Sequence, residues 1–489
     1  VRSKFTPAVL LRFCAQNEAA GAHLRKIIMF RKFFWLILLS LAIGVLGYYI
    51  GLSAHQAVIV AVFATSILGT LFFWDFRLSF VFIGSGVLLM MNAVHLEDFI
   101  RFASLDVILF LISMMIIVGM MKEAGLFTWL VTLVLRIKNL NGMKLYVLTM
   151  LTSAFLSGLM GEVASIIVVV TVILDICDFL EVDPIPLIIS SIIATNIGSA
   201  ATVLGNPVGV LIAARGKLSF EDFLTHAMPV SMLVLILAIG IVLIYYRRNI
   251  AQMCDKLKDY QDDKSFLYLI SIPPDKRTKI SIGIFAVTIL LISLHKRLEI
   301  LLGLTENTLL FMIPIISAGI VMAYRHDKAR YYIEHEVEWP SILFFLFLFA
   351  QAGVIQSTGI ASFLAQKMVN SIGSYPQVLS GIVLMSSGFL SSGVDNVVAV
   401  ASYVPIVQSL GTLHVNMKAL WWALLFGACY GGNITLIGST ANIVALGILE
   451  KERNLKVNFM QWLRIGFIVG VLTMFLAMLL VVFIPFFSS

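Results

Sequence analysis

Residues 431–442 read Gly-Gly-Asn-Ile-Thr-Leu-Ile-Gly-Ser-Thr-Ala-Asn in the middle of an apolar run from 418 to 448, and residues 196–207 read Asn-Ile-Gly-Ser-Ala-Ala-Thr-Val-Leu-Gly-Asn-Pro inside another, from 186 to 213. A helix crosses hydrocarbon in about 20 apolar residues. Gly, Asn and Pro at this density unwind such a helix and free its carbonyls and amides, which lipid tolerates only where protein or water satisfies them. Two further apolar regions, 144–180 and 376–413, are interrupted at Ser157-Gly158-Leu159-Met160-Gly161-Glu162 and at Ser391-Ser392-Gly393-Val394-Asp395-Asn396. Each of these two regions reads as two spans or as one hairpin that dips in and returns. Hydropathy does not distinguish them, and either way the region makes an even number of crossings.

The pairing of the interruptions extends along the chain. Phe155-Leu156-Ser157 recurs as Phe389-Leu390-Ser391, and Gly125 as Gly359, both at an offset of 234. Gly198, Thr202 and Gly205 recur as Gly431, Thr435 and Gly438 at 233, and Lys217-x-x-Phe220 as Lys456-x-x-Phe459 at 239. Each copy holds five spans plus one interrupted region, so an odd count makes the two enter from opposite sides. Inverted repeats with broken helices at the midplane are characteristic of secondary transporters.

Composition agrees with that class. The 489 residues are 60% hydrophobic and 12% charged, against about 45–50% apolar and about 25% charged for soluble domains. This excludes an ordinary soluble enzyme, a disordered scaffold and a disulfide-stapled module. Residues 1–32 carry Arg2, Lys4, Arg12, Arg25, Lys26, Arg31 and Lys32 against Glu18 alone. Such a basic flank holds the N-terminus in the cytoplasm and needs no nucleic acid to explain it. The stretch lacks a small-residue cleavage site after a short apolar core, so no cleaved signal peptide is expected. A first span follows at 33–51. Repeat 1 is placed at 54–246, with the interrupted region 144–180 and the broken helix 186–213. The polar loop 247–279, with eight Lys or Arg against five Asp, returns to the cytoplasm. Repeat 2 is placed at 280–489, with 376–413 and 418–448 as its counterparts. The fold expected is an all-α polytopic membrane protein of about eleven spans, its C-terminus on the opposite face. All seven Trp fall near predicted span ends, where headgroups would hold them. Residues 127–137 read as an interfacial helix. Four scattered Cys and eight His show no metal-ligand spacing, and HEVEW at 335–339 lacks the second His of a zinc helix. No cofactor is expected.

The chemistry concentrates at the four breaks. Glu162 and Asp395 sit in uncharged stretches, 233 residues apart. Whether they are equivalent stays open, because the Phe-Leu-Ser alignment instead sets Gly161 opposite Asp395. Carboxylates inside a membrane are costly and mark ion pathways or proton relays, and a cation and a proton can compete for one such group. The alternative is that each acid caps a hairpin helix by accepting backbone N–H bonds. Asp175 and Asp178 read as interfacial, and Asp75 and Arg77 as a solvated turn. No Lys or Arg occurs within 145–180, 186–213, 376–413 or 419–448. An anionic substrate there would depend on helix dipoles and amides alone.

At these residues the chain resembles the ion transporter superfamily, in particular its arsenite permease, NhaD-type sodium/proton antiporter and P-protein branch. The likeness is carried by SSGFLSSGVDNVVAVASYVPIV and ALWWALLFGACYGGNITLIGSTANIVALGILE in the second half and by IIATNIGSAATVLGNPVGVLIAARGKLSFEDF in the first. The segment EVEWPSILFFLFLFA, at 336–350, looks like the family's opening of its second repeat. The resemblance implies eleven spans, two re-entrant hairpins, two unwound helices, a homodimer in the cell (inner) membrane and alternating access, often elevator-like. It implies a site lined by Asn196, Ser199, Thr202 and Asn206 from the first half and by Asp395, Asn396, Gly432, Asn433, Thr435 and Asn442 from the second. The reading of the breaks themselves adds Ser157, Gly161, Glu162, Ser392 and Ser439 as candidates, and sodium is a candidate at Asp395, Asn396 and Asn433. The chain departs from the family in having Gly161-Glu162 at the first tip and Asn206-Pro207-Val208-Gly209 at the first break. The Ser-Asn-Thr motif of the related sodium/dicarboxylate transporters is absent from both tips. A proton-linked ion transporter follows, sodium/proton exchange first, arsenite or antimonite efflux second and a dicarboxylate or other organic-anion carrier third. From another class, a transport-inactive membrane subunit recruiting partners through its basic segments is the competing expectation.

Overall fold

The computed structural model describes residues 7–126, 129, 140–259, 276–413, 415–484 and 487. Every regular element among them is helical. The expected interfacial helix at 127–137 lies outside the described residues except Trp129, and so do 260–275 of the polar loop. Two compact units are present, Val1–Val94 and His95–Ser489.

The first unit contains α1 (Pro7–Ile50), α2 (Ala54–Phe72) and α3 (Arg77–Met90). From Pro7 on, the basic segment and the first span are therefore one continuous helix, whose apolar part is Ile27–Ile50. Phe33, Leu36, Phe73 and Phe80 pack together. Arg77 is not on a solvated turn: it is buried, its guanidinium 3.8 Å over the Trp74 ring. An indole face offers a cation the stabilisation that water otherwise supplies.

The second unit begins with α4 (Leu96–Phe102), α5 (Leu105–Glu123), α6 (Gly142–Met160), α7 (Glu162–Leu180), α8 (Ile185–Ser199) and α9 (Pro207–Gly216). It continues with α10 (Met228–Tyr245), α11 (Arg247–Asp259), α12 (Lys276–Ser293), α13 (His295–Leu302), α14 (Thr308–Tyr324) and α15 (Trp339–Ser357). It ends with α16 (Ile360–Ile372), α17 (Pro376–Gly393), α18 (Asn396–Thr412), α19 (Lys418–Gly431), α20 (Thr440–Arg453) and α21 (Phe459–Phe483). The segment 247–279 is thus helical at its start, with Gly142 of α6 packed against the backbone of Ile250 and Cys254.

Among the described residues, eight helices are long and apolar enough to cross a membrane, or nine if Arg277–Ser293 and His295–Leu302, bent by 63°, form one span. Hydropathy along the chain counts eleven runs. The difference arises partly because the run 186–213 is split into α8 and α9 and 418–448 into α19 and α20, each half too short alone. Helices α3 and α14 are also apolar but short.

Helices α8 and α19 form the centre. From Pro186 to Ser199 and from Ala419 to Gly431 every residue is buried, the all-round burial expected of helices apolar on every face. Each lies along the first arm of a helix–turn–helix pair, α8 along α6 and α19 along α17. The approach is close enough to require glycine: a Cβ on Gly198 would sit 2.2 Å from the Ala154 carbonyl oxygen, and one on Gly431 2.2 Å from that of Gly388. Trp421, Trp422 and Trp462 belong to this interior. They are almost wholly buried, although the sequence places them near span ends. Trp421 fills the surface over Gly216, and the Trp462 indole donates to the Asn433 carbonyl at 3.1 Å.

Candidate functional site

Each broken helix is tied to its neighbouring hairpin in the same way. At the first break the Thr202 hydroxyl donates to the Gly158 carbonyl and accepts from the Leu204 amide at 3.2 Å. At the second, the Thr435 hydroxyl donates to the Ser392 carbonyl at 2.5 Å and accepts from the Ile437 amide at 3.3 Å. The half-helix beyond each break is then capped by a side chain. Asn206 Oδ1 accepts from the Gly209 amide at 2.7 Å, and Ser439 Oγ from the Ala441 amide at 3.2 Å. Polar caps are needed because the first amides of a helix have no partner within it.

The matched threonine bonds set Gly158 in the position that Ser392 holds at the second break. Gly161 and Asp395 are then counterparts, as the residues preceding α7 and α18. Glu162 and Asn396 are counterparts too, as the first residues of those helices. Gly161 adopts φ +93° at its turn, a conformation that L side chains rarely tolerate. Asp395 caps α18 through the Val397 amide at 3.0 Å and accepts the Thr440 hydroxyl. Glu162 makes no comparable bond to a helix end.

Glu162 instead meets its counterpart. Its two carboxyl oxygens face Asn396 Nδ2 at 3.4 and 3.3 Å, and Ser439 Oγ lies 3.5 Å from one of them. Glu162 and Asp395 are each 2% exposed. Beside them the breaks are stitched to one another. Asn196 Nδ2 donates to Asn433 Oδ1 at 2.8 Å and to Asn442 Oδ1 at 2.9 Å, while Asn442 Nδ2 donates to the carbonyls of Gly432 and Thr435, both at 2.9 Å. Asn206 Nδ2 reaches Ser199 Oγ at 2.8 Å and Cys429 Sγ at 3.1 Å. Several buried polar atoms remain unpartnered among the described residues, including Asn196 Oδ1, Asn396 Oδ1, Asn433 Nδ2 and Ser157 Oγ. Leaving a buried polar atom unpaired costs about 1–3 kcal/mol. Of these four atoms, the carboxamide oxygens of Asn196 and Asn396 are the ones a ligand with positive charge would satisfy, while Asn433 Nδ2 is a donor.

The fifteen residues singled out in the sequence do not all act alike. Glu162, Asn396 and Ser439 are joined by hydrogen bonds, as are Asn196, Asn206, Asn433 and Asn442, with Ser199 bridging Asn206 and the Asn196 carbonyl. Ser199 also bonds Glu162, whereas Asp395 lies near Glu162 but bonds Val397 and Thr440 instead. Thr202 and Thr435 hold the breaks to the hairpins. Gly432 supplies a carbonyl to that lattice. The Ser392 hydroxyl turns back to the Phe389 carbonyl at 2.7 Å, and only its own carbonyl is used. Among the described residues no group of three or more His, Cys, Asp or Glu is placed to hold a metal ion.

A cavity of about 240 Å³ opens beside Glu162, lined also by Asn206, Thr440, Lys122, His335 and Glu336. Lys122 Nζ and Glu336 are 3.1 Å apart, the carboxylate 11% and the ammonium 46% exposed. These last three residues were missed from sequence. Lys122 directly follows a predicted span, and His335 and Glu336 lie in the HEVEW segment, read there as an incomplete zinc motif and, from Glu336 on, as resembling the opening of a second repeat rather than as site residues. Asp178 pairs with Arg453, in keeping with a position away from the buried cluster.

A sequence profile of a family described as citrate transporter matches residues 70–427. An uncharacterized transporter of Mycobacterium tuberculosis is 29% identical over 76% of this chain and 84% of its own length. The P protein of Homo sapiens is 26% identical over 77% of this chain but only 52% of itself. Among solved structures, the YdaH transporter of Alcanivorax borkumensis aligns with a TM-score of 0.55 at 14% identity, covering 83% of this chain and 90% of that one. At that identity the likeness shows the fold alone. These comparisons bear out the ion transporter superfamily and a transporter rather than an enzyme. They do not single out the arsenite or NhaD-type branch.

Proposed function

The chain belongs to the citrate transporter family, and from that premise we propose that this integral membrane protein is a proton-linked secondary transporter exchanging protons for a small cation, sodium first. The observation that carries the reading is the Glu162 carboxyl, buried against Asn396 and Ser439 with unpartnered amide oxygens nearby and no Lys or Arg among its described hydrogen-bond partners. A hard cation is held by oxygen ligands of this kind. Cation binding requires the carboxyl to be ionised and so releases its proton. One group occupied in turn by proton and cation is sufficient for antiport. Asp395, Asn396 and Asn433 are the neighbours that would complete the cation's oxygen and amide surroundings.

The proposal extends to the architecture. Eleven crossings, two inverted five-helix repeats with re-entrant hairpins, a cytoplasmic N-terminus, a C-terminus on the opposite face, a homodimer and the cell (inner) membrane are its parts. The matched bonds of Thr202 and Thr435 support the repeat. A cysteine at position 262 will label from the cytoplasmic side and one at 489 from the other. Labelling of both from the same side would overturn the odd span count.

Carriage of an organic anion is the second reading, favoured by the description of the family. Proteoliposomes holding an internal pH dye separate the two, with sodium, lithium, arsenite and citrate added in turn. The expected result is a proton flux driven by sodium or lithium. A flux driven only by citrate selects the second reading, and one driven only by arsenite selects efflux of a neutral hydroxide. Silence with all four, with no accumulation of labelled solute, identifies a transport-inactive subunit.

A further inference from the structure

We infer that a second binding site, for a small multiply charged oxyanion, lies between Arg101 and Arg215. Arg101 is next to last in α4 and Arg215 next to last in α9. Both line a cavity of about 440 Å³, together with Ser104, Gln356, Ser357 and Gln408. None of its lining residues is shared with the cavity beside Glu162. Its size falls within the range of small-molecule pockets, about 300–1,000 Å³.

The charges in this cavity are unbalanced. No Asp or Glu lines it. Arg215 donates to the Ser104 hydroxyl, and neither guanidinium has an acidic partner among the described residues. Four other arginines are paired with carboxylates, Arg325 with Glu123 and Asp327, Arg297 with Glu221, Arg330 with Glu334 and Arg453 with Asp178, whereas Arg247, Arg248 and Arg464 have none among the described residues and line neither cavity. Two guanidinium groups lining one open cavity repel each other, and an anion between them converts that repulsion into two charge-assisted pairs. The planar fork of Arg matches carboxylate or phosphate oxygens two at a time. The carboxamides of Gln356 and Gln408 add donors, and Phe349 and Val404 supply an apolar wall for a carbon skeleton.

The position gives the site a consequence. Arg215 ends the half-helix that Asn206 begins, and Val404 lies on α18, which Asp395 caps. The remaining walls come from α4 and α15. An anion held between Arg101 and Arg215 therefore links α4 to the outer end of a helix whose inner end lines the hairpin cluster. Binding at this site does not rest on the proposed cation exchange and is read independently of it.

The test is thermal unfolding of the purified full chain in detergent, titrated with citrate, malonate or inorganic phosphate, with sodium chloride at matched ionic strength as the control. The expected result is a saturable rise in the midpoint. It should be weakened about tenfold or more in apparent affinity by Arg101→Gln and by Arg215→Gln, and retained in Glu162→Gln. Arg215→Lys, which keeps the charge but loses the fork, should fall between. Citrate and malonate acting without phosphate assign the site to carboxylates, and the reverse assigns it to phosphate. No rise with any polyanion, an equal rise with chloride, or a rise that survives both arginine changes overturns the proposal. The unliganded midpoint of each variant reports whether it folds. Should Arg215→Gln fail to fold, Arg101→Gln, on an exposed residue, carries the test.

Discussion

Glu162→Asn will reduce proton-coupled flux by about a hundredfold or more, the scale at which loss of a positioned proton-transfer group is felt, and adding Asn396→Glu to it will restore a measurable part. The two residues are counterparts at the starts of α7 and α18, and they face each other at 3.3–3.4 Å. Exchanging them keeps one carboxyl and one carboxamide in contact and moves the charge from one hairpin to the other. Proteoliposome flux with a pH dye reads both variants. Glu162→Gln is the companion measurement. No basic side chain is a described hydrogen-bond partner of Glu162, so its neutral isostere breaks no ion pair and should fold with a midpoint at or above the parent's. Full flux in Glu162→Gln would remove the proton-carrying role from this residue. A failed rescue alongside folded protein would show that the two positions are not interchangeable.

Asn196→Ala will destabilise the protein by about 2–6 kcal/mol, because it takes the donor from two buried acceptors at once, each costing about 1–3 kcal/mol when left unpaired. Those acceptors are Asn433 Oδ1 and Asn442 Oδ1, and the bonds tie the first broken helix to the second. Ser392→Ala is the contrast: it loses a bond within its own helix and should stay within about 1 kcal/mol of the parent. The midpoint of unfolding in detergent measures both. A small effect at Asn196 would mean that the two breaks are not held together through this amide. Flux should fall with stability in Asn196→Ala, since the same bonds join the two breaks, the second of which carries Ser439, a partner of Glu162.

Several of these residues stand out in the sequence because their chemistry conflicts with their surroundings. Asn196, Asn206, Asn433 and Asn442 interrupt runs otherwise fit for lipid, and Glu162 and Asp395 are acids where none is expected. The structure gathers all six into the site. The division of labour between the two acids was not legible. Spacing made Asp395 as good a partner for Glu162 as Asn396, and only the threonine-to-carbonyl bonds, one offset by 233 at the donor and 234 at the acceptor, show where the extra residue lies. Trp421, Trp422 and Trp462 mislead for a related reason: position near a span end is a one-dimensional fact, while burial depends on what packs alongside.

The sequence by itself determined the membrane setting, the helical class, the four breaks and their pairing, because hydropathy and backbone-breaking residues act over a turn or two of chain. The tertiary structure alone decided that Glu162 meets Asn396, that Lys122 meets Glu336, and that Arg101 and Arg215 share a cavity free of acids. Each of these contacts joins residues more than a hundred positions apart. What sets them is the close approach of buried helices across glycine, which depends on how the helices pack and leaves no periodic mark along the chain.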